Sequence, residues 1–280
     1  MWYTMDKNIW GNLAKRRMKY VLITGAYGGM GRATAKALSA QGYTVFALDK
    51  NVGEAEERII PVQADVTDCG SLRAAFAKVR AVTEELYAIV HFAGIYMLDS
   101  LVEMADEAWD RIFAINVDGA FHVNKIFLPL LKSGSKILLT TSELAPLDPL
   151  PFTGVYAVTK AALDKYAYSL RMELQLLGIS VSVLRAGAVS TGMLGVSTTA
   201  LDRFCENTAL YQCNAERFKK IVCGVEAKSV PPEKIANKTV AILRKKRMKF
   251  AYSINRNPLL RLLNALPKSW QCAIIKKILK

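Results

Sequence analysis

Tyr156 and Lys160 stand four residues apart in a stretch of helical periodicity, so they rise from one face of a helix a turn apart. A tyrosine that ionises near its ordinary value of about 10 is a poor base at neutral pH, but an adjacent ammonium favours the phenolate and brings it toward use. Ser142, at the end of an apolar run, adds a hydroxyl able to hold a substrate oxygen beside that phenol. Together the three make a proton relay with an orienting donor, suited to moving a proton on or off a carbonyl or alcohol oxygen. YxxxK alone is common in helices as an exposed tyrosine beside a solvated lysine, so its weight depends on its surroundings.

A second constellation lies near the start of the chain. Val21-Leu22-Ile23-Thr24-Gly25-Ala26-Tyr27-Gly28-Gly29-Met30-Gly31 reads as a strand, a glycine-rich turn and the first turn of a helix. Glycines let backbone approach a pyrophosphate, and the helix start supplies oriented N–H groups with partial positive charge. A tight turn without a ligand is the alternative, which the strand-turn-helix context disfavours. Eighteen residues past Gly31, Asp49 closes the second strand, where its carboxylate can accept from both ribose hydroxyls and repel a 2′-phosphate. That favours NAD over NADP, with Lys50 placed to offset part of the repulsion. Asp65-Val66, after the third strand, could hold an adenine ring, though a helix-capping Asp is a comparable reading.

These residues need a scaffold that brings strand ends together. Strand candidates at 20–24, 44–48, 59–63, 88–92, 136–140 and 180–184 alternate with helical stretches at 30–40, 70–85, 106–131 and 154–177, the order of a doubly wound α/β fold. The expectation is one Rossmann-type domain over 19–257, six parallel strands with helices on both faces, after an N-terminal extension at 1–18. Residues 188–228 read as a loop-rich substrate insertion of weak periodicity, and a last helical stretch spans 233–247.

In that order and spacing, Thr24-Gly25-xxx-Gly29-x-Gly31, Asn116, Ser142 and Tyr156-Ala157-Val158-Thr159-Lys160 resemble the motif series of the short-chain dehydrogenase/reductase family, over roughly residues 19–191. The resemblance implies Tyr156 as catalytic acid/base, Lys160 lowering its pKa and binding the ribose, Ser142 polarising the substrate oxygen, and Asn116 supporting a water-linked proton path. It also implies cofactor contacts at Ala93, Gly94, Ala188 and Val189, and Thr191 against the nicotinamide carboxamide. Two positions depart from the family pattern. His91-Phe92-Ala93-Gly94 stands where Asn-Asn-Ala-Gly is common, so His91 reads as a core histidine, and Ala186-Gly187 replaces Pro-Gly, removing a fixed φ near the nicotinamide.

The substrate should meet residues 94–100, 143–153 and 188–228, with Tyr96, Met97, Leu98, Leu144, Leu147, Leu150, Phe152, Met193, Leu194 and Phe204 among them. Such a lining suits a lipophilic secondary alcohol or ketone better than a sugar. The sequence from Pro231 onward, with a helix, a basic strand-like stretch and a Leu-rich end, is similar to the hydroxysteroid and retinol branch of the family, which implies a hydroxysteroid-type substrate. A retinol or 3-oxoacyl substrate, or a non-catalytic dinucleotide-binding regulator, are the competing readings. Intact Ser142, Tyr156 and Lys160 weigh against a regulator.

The net charge of +14 is concentrated: residues 234–280 hold thirteen Lys or Arg and no Asp or Glu, leaving the rest at +1. A nearly neutral body argues against a nucleic-acid partner. The segment 258–280 is a basic amphipathic tail. It could lie on an anionic membrane as a peripheral contact, or pack on the domain or on a partner subunit; Pro267, which splits it, favours packing. No run of eighteen apolar residues and no leader pattern is present, so the expected location is cytoplasmic. Five cysteines without a CxxC pair and two histidines suggest neither a disulfide framework nor a metal site. Family resemblance implies a homo-oligomer, a dimer or tetramer through the helices at 106–131 and 154–177.

Overall fold

The computed structural model describes residues 18–226 and 228–280; for 192–198, 225 and 226 only the backbone is described. The extension assigned to residues 1–18 lies outside the described residues, apart from Met18. Seven strands form one parallel sheet in the order β3-β2-β1-β4-β5-β6-β7. They are β1 (Tyr20–Thr24), β2 (Thr44–Asp49), β3 (Ile59–Gln63), β4 (Leu86–His91), β5 (Leu131–Ser142), β6 (Ser180–Ala186) and β7 (Ala251–Ile254). Strands covered on both faces should be apolar without interruption, and β1, β4 and β5 are buried almost throughout. The chain reverses direction across the sheet between β1 and β4, so loops part at their carboxyl ends and leave a crevice there.

The helices are α1 (Gly29–Ser39), α2 (Cys69–Arg80), α3 (Asp106–Phe113), α4 (Gly119–Phe127), α5 (Gly154–Leu174), α6 (Gly192–Asn207), α7 (Gln212–Glu226), α8 (Pro232–Leu243), α9 (Pro258–Asn264) and α10 (Lys268–Leu279). Local chemistry sets several boundaries. The Asp68 carboxylate caps α2 by accepting from Gly70 N–H at 2.7 Å, α8 and α9 start on proline, and Gly178 at φ 73° ends the turn after α5. One apolar cluster, including Leu22, Phe46, Ile89 and Phe127, fills one face of the sheet; another, with Val21, Ile23, Val90 and Leu184, fills the other.

The structure corrects the sequence reading in three places. A seventh strand, β7, occupies what reads only as a basic strand-like stretch. The helix expected at 106–131 is two, α3 and α4, joined by a π-helical turn at Ala114–Asp118, and β5 already begins at Leu131. Most of the loop-rich insertion is a helix pair, α6 and α7, packed on each other. Its weak periodicity reflects apolar residues divided between the partner helix and an aromatic cluster. In that cluster Phe152, held at φ 62°, meets Phe204, Tyr211 and Phe218 at 4.6 to 5.4 Å between ring centres.

His91 ends β4 as a buried core histidine, its Nε2 paired with the Asn124 amide oxygen at 2.9 Å while the Asn124 amide donates to the Tyr166 hydroxyl. Burial holds its pKa down to about 4, from 6.5. Below pH 6.5 the unfolded chain takes up a proton that the native state refuses, so the native state loses about 3 kcal/mol between pH 6.5 and 4 at this position. His91→Asn should lose visibly less stability than the wild type when denaturant midpoints at pH 7 and pH 4.5 are compared; equal losses would show that His91 titrates normally.

Candidate active site

The glycine-rich turn is built for close approach. Gly25 has φ +65°, a side chain at Gly31 would strike Gly25 O at 2.1 Å, and one at Gly29 would strike Thr191 Cγ2 at 2.6 Å. Gly28 caps α1 with no side chain, and the first turn of that helix carries no carboxylate, so its N–H groups face the crevice without a competing anion. Asp49, at the carboxyl end of β2, accepts from Tyr27 N at 2.9 Å and Asn51 N at 3.3 Å, which fixes its carboxylate beside the turn. This cradle fits a dinucleotide: Gly25 to Gly31 against the pyrophosphate and Asp49 against the adenosine ribose.

Lys50, expected to soften the repulsion of a 2′-phosphate, instead pairs with Asp65 at 2.9 Å. Asp65 also accepts from the Thr67 N–H and hydroxyl, and these bonds hold its pKa down to about 2, the backbone bond most. The Asp65 carboxylate is thus fixed at the end of β3 with Val66 buried behind it, where a methyl contacts Gly119.

Four residues expected to do the chemistry come from three elements. Asn116 sits in the π-helical turn, where the widened spacing turns its amide onto Ile95: Oδ1 accepts from Ile95 N at 2.8 Å and Nδ2 donates to Ile95 O at 3.0 Å and to Thr159 Oγ1 at 3.1 Å. It thereby clamps the extended segment that follows Ala93-Gly94 onto α5. A side chain at Gly94 would fall 3.2 Å from Asn116 Oδ1 and 3.4 Å from Lys160 Nζ, so that glycine is the meeting point of the two. Ser142 closes β5, its Oγ accepting from Leu144 N at 3.2 Å, and it lines the same cavity as the Tyr156 phenol. Tyr156 and Lys160 share one face of α5, with Nζ 5.7 Å from the phenol ring centre and donating to Thr140 O at 3.2 Å. The buried pair of Arg185 with Asp164, at 3.0 and 2.7 Å, ties α5 to β6 and so fixes the helix that carries them.

The protein alone does not make Tyr156 a phenolate. Burial pushes its pKa up to about 12 against a smaller opposing effect of the Ser142 hydroxyl, and burial pulls Lys160 down to about 8. In the protein alone, desolvation keeps the Tyr156 phenol protonated at neutral pH.

Ala188 and Val189 are held at the crevice by Val230 and Asn255: Val230 N donates to Ala188 O at 3.1 Å and Asn255 Nδ2 to the same oxygen at 2.8 Å. Gly187 replaces nothing by accident, since a side chain there would fall 1.9 Å from Asn255 O. Thr191, Met30 and Val189 all face a cavity of about 580 Å³ that reaches Ser142, Tyr156 and Lys160.

Of the expected substrate contacts, Tyr96, Leu144 and Leu150 line this cavity. Leu98, Phe152 and Phe204 instead pack in the cluster beneath α6 and α7, and the side chains of Met193 and Leu194 lie outside the described residues. The far wall comes from the C-terminal tail, through Leu259 and Leu263 on α9, Ile275 and Ile278 on α10 and Leu266 in the turn between them, so that the packed tail closes the pocket. The leucine spacing in 258–280 was the available signal. The sequence reading missed Glu143, whose carboxylate accepts from Asn257 N at 2.6 Å and is pushed up in pKa by burial. The tail packs on the domain: Asp148 binds Lys268 and Gln271, and Asn214 and Arg217 donate to Leu279 O.

Comparison with known proteins agrees with this geometry. Residues 19–202 match the short chain dehydrogenase family. Estradiol 17-beta-dehydrogenase 2 of Mus musculus is 36% identical over 191 residues, covering 63% of this chain and 50% of that protein. The probable short-chain type dehydrogenase/reductase VdlC of Helicobacter pylori is 27% identical over 265 residues, 92% of this chain and 96% of the relative. Among solved structures, 3-ketoacyl-(acyl-carrier-protein) reductase from Brucella melitensis, complexed with NADH, superposes with a TM-score of 0.69 at 20% identity, covering 84% of this chain and 96% of that one. The chain spans about half the length of the mouse estradiol dehydrogenase and its rat and human counterparts. With the parallel sheet, the glycine cradle and the Asn116, Ser142, Tyr156 and Lys160 set in one crevice, the chain belongs to the short chain dehydrogenase family, whose members are NAD(P)-dependent oxidoreductases.

Proposed function

We propose that this chain interconverts a lipophilic secondary alcohol and its ketone, foremost a hydroxysteroid-type substrate, with NAD as the preferred cofactor and NADP as the weaker one. The observation that carries the reading is a large cavity walled by aliphatic side chains that ends on the Ser142 and Tyr156 hydroxyls. Thr191, Tyr156 and Lys160, which line one cavity, would hold the nicotinamide nucleotide, and when bound that group would supply or accept the hydride. Ser142 Oγ and the Tyr156 phenol grip the substrate oxygen from two sides; in reduction the phenol delivers its proton to that oxygen, and in oxidation the phenolate takes it back. Lys160 holds the ribose and, as an ammonium, makes the phenolate form easier to reach. The mouse and rat relatives named as estradiol 17-beta-dehydrogenase 2 and the human one named as 17-beta-hydroxysteroid dehydrogenase type 2 support the steroid choice.

Assembly and location are part of the same proposal. A dimer or tetramer through α3, α4 and α5 is supported by exposed Trp109, Phe121, Val158, Tyr168 and Met172 on those helices. No helix among the described residues is long and apolar enough to cross a membrane, and contact at a membrane surface through 258–280 completes the reading.

The test follows NADH and NADPH formation with a panel of hydroxysteroids, retinols and simple secondary alcohols, with Tyr156→Phe as control. Turnover of a lipophilic class that depends on Tyr156 supports the proposal; turnover of sugars alone, or tight NAD binding with silence across the panel, overturns it.

A further inference from the structure

The cavity opens to solvent through apolar side chains. Leu259 and Leu262 on α9, Ile274 and Ile278 on α10 and Ile221 on α7 all line it, yet they are 69, 65, 37, 53 and 41% exposed. Trp270, 63% exposed, precedes Ile274 and Ile278 by four and eight residues and so continues the same stripe of α10. The mouth is therefore the centre of an apolar patch, where water-facing leucines serve no packing purpose among the described residues.

The charge around that patch has one sign. Arg256, Arg261, Lys268, Lys276, Lys277 and Lys280 are exposed, and residues 234–280 contain no carboxylate. Two acidic groups that meet the tail are already engaged, Asp148 with Lys268 and Gln271, and Glu143 with the Asn257 N–H, and Glu216 on α7 is an exposed exception. A second copy seated on this face would bring like charges together across the two-fold axis. An anionic lipid surface presents the complementary charge and an apolar phase beneath it. Helices of 7 and 12 residues are too short to span a bilayer but long enough to lie in its interface.

We infer that α9 and α10 dock the cavity mouth onto an anionic bilayer, so that a substrate dissolved in the lipid enters the site without passing through water. The delivery role rests on the proposed lipophilic substrate; the docking rests on the surface alone. Docking places the leucines, Trp270 and Ile278 among the acyl chains, Lys276 and Lys277 against the headgroups, and the nicotinamide cradle on the far, aqueous side.

The test sediments the full chain with vesicles of phosphatidylcholine alone or of phosphatidylcholine with phosphatidylserine. Binding should require phosphatidylserine and weaken with salt. Lys276→Gln with Lys277→Gln should lower the partition coefficient by about 30-fold, removing two charges that each favour the surface by about fivefold. Leu259→Ser with Leu262→Ser should weaken it too, and the blue shift of tryptophan emission on binding should vanish in Trp270→Phe. NAD affinity and circular dichroism, unchanged in each variant, report that the fold persists. Absence of binding, binding indifferent to these substitutions, or a dimer in solution that the leucine substitutions dissolve would each overturn the inference. Vesicle binding without turnover of any lipophilic alcohol sinks the proposed reaction and leaves the docking; turnover without vesicle binding does the reverse.

Discussion

Replacing Tyr156 by Phe should lower kcat by about 10²- to 10⁴-fold, the range that a positioned proton donor contributes, while the NAD dissociation constant changes little. The ring itself survives the substitution: it packs edge-on against Tyr96 at 4.7 Å, so the cavity keeps its shape and only the proton is lost. Steady-state rates paired with fluorescence titration of NADH separate the two effects; a variant retaining a tenth of the activity would remove Tyr156 from the relay. The raised pKa also fixes a direction in pH. Below about 12 the phenol predominates in the protein alone, so carbonyl reduction has its proton donor across the neutral range. Alcohol oxidation needs the phenolate, and its rate should climb as pH rises toward that value, most steeply where Lys160 keeps its ammonium, below about 8.

Asp49→Ser should change the choice of cofactor, moving the ratio of kcat/KM for NAD over NADP by about 10²-fold toward NADP, the size expected when a like-charge contact worth a few kcal/mol is relieved. Two features of the structure make the effect large. The carboxylate is held in place by the Tyr27 and Asn51 N–H groups, so it cannot swing aside for a 2′-phosphate. Lys50, the cation next in sequence, is paired with Asp65 and so is drawn away from the carboxylate it would offset. Adding Asp65→Asn should release Lys50 and extend the shift. Initial rates with each cofactor at several concentrations decide it, and an unchanged ratio would mean that the adenosine ribose lies elsewhere.

What could be read from the residues depended on how local the cause was. The cofactor cradle is one contiguous strand, turn and helix whose glycines are demanded by backbone approach, and the contacts at Gly25, Gly29 and Gly31 are of that kind. Tyr156 and Lys160 are likewise adjacent on one helix. The π-helical turn around Asn116 was not legible, because it arises when a buried amide captures Ile95 and Thr159, partners 21 and 43 residues away. β7 was legible only as a strand-like stretch, being a four-residue edge strand that pairs, among the described residues, with β6. The helices α6 and α7 pack on each other and on the aromatic cluster around Phe152, so their apolar residues do not gather into one stripe. The pairing of Lys50 with Asp65, just past β3, was likewise not legible, because the two are fifteen residues apart.

Glu143 and Asp148 anchor the segment from Asn257 to Leu279 by a handful of polar contacts, and none of the residues that move protons belongs to that segment. Chemistry and selectivity are accordingly carried by separable pieces of chain. An exchanged α9–α10 hairpin that preserves the contacts to Glu143 and Asp148 would present a different aliphatic surface to the same Ser142 and Tyr156. Lineages sharing this sheet could thus diversify their diet of substrates by rewriting some twenty residues, with the reaction itself inherited intact.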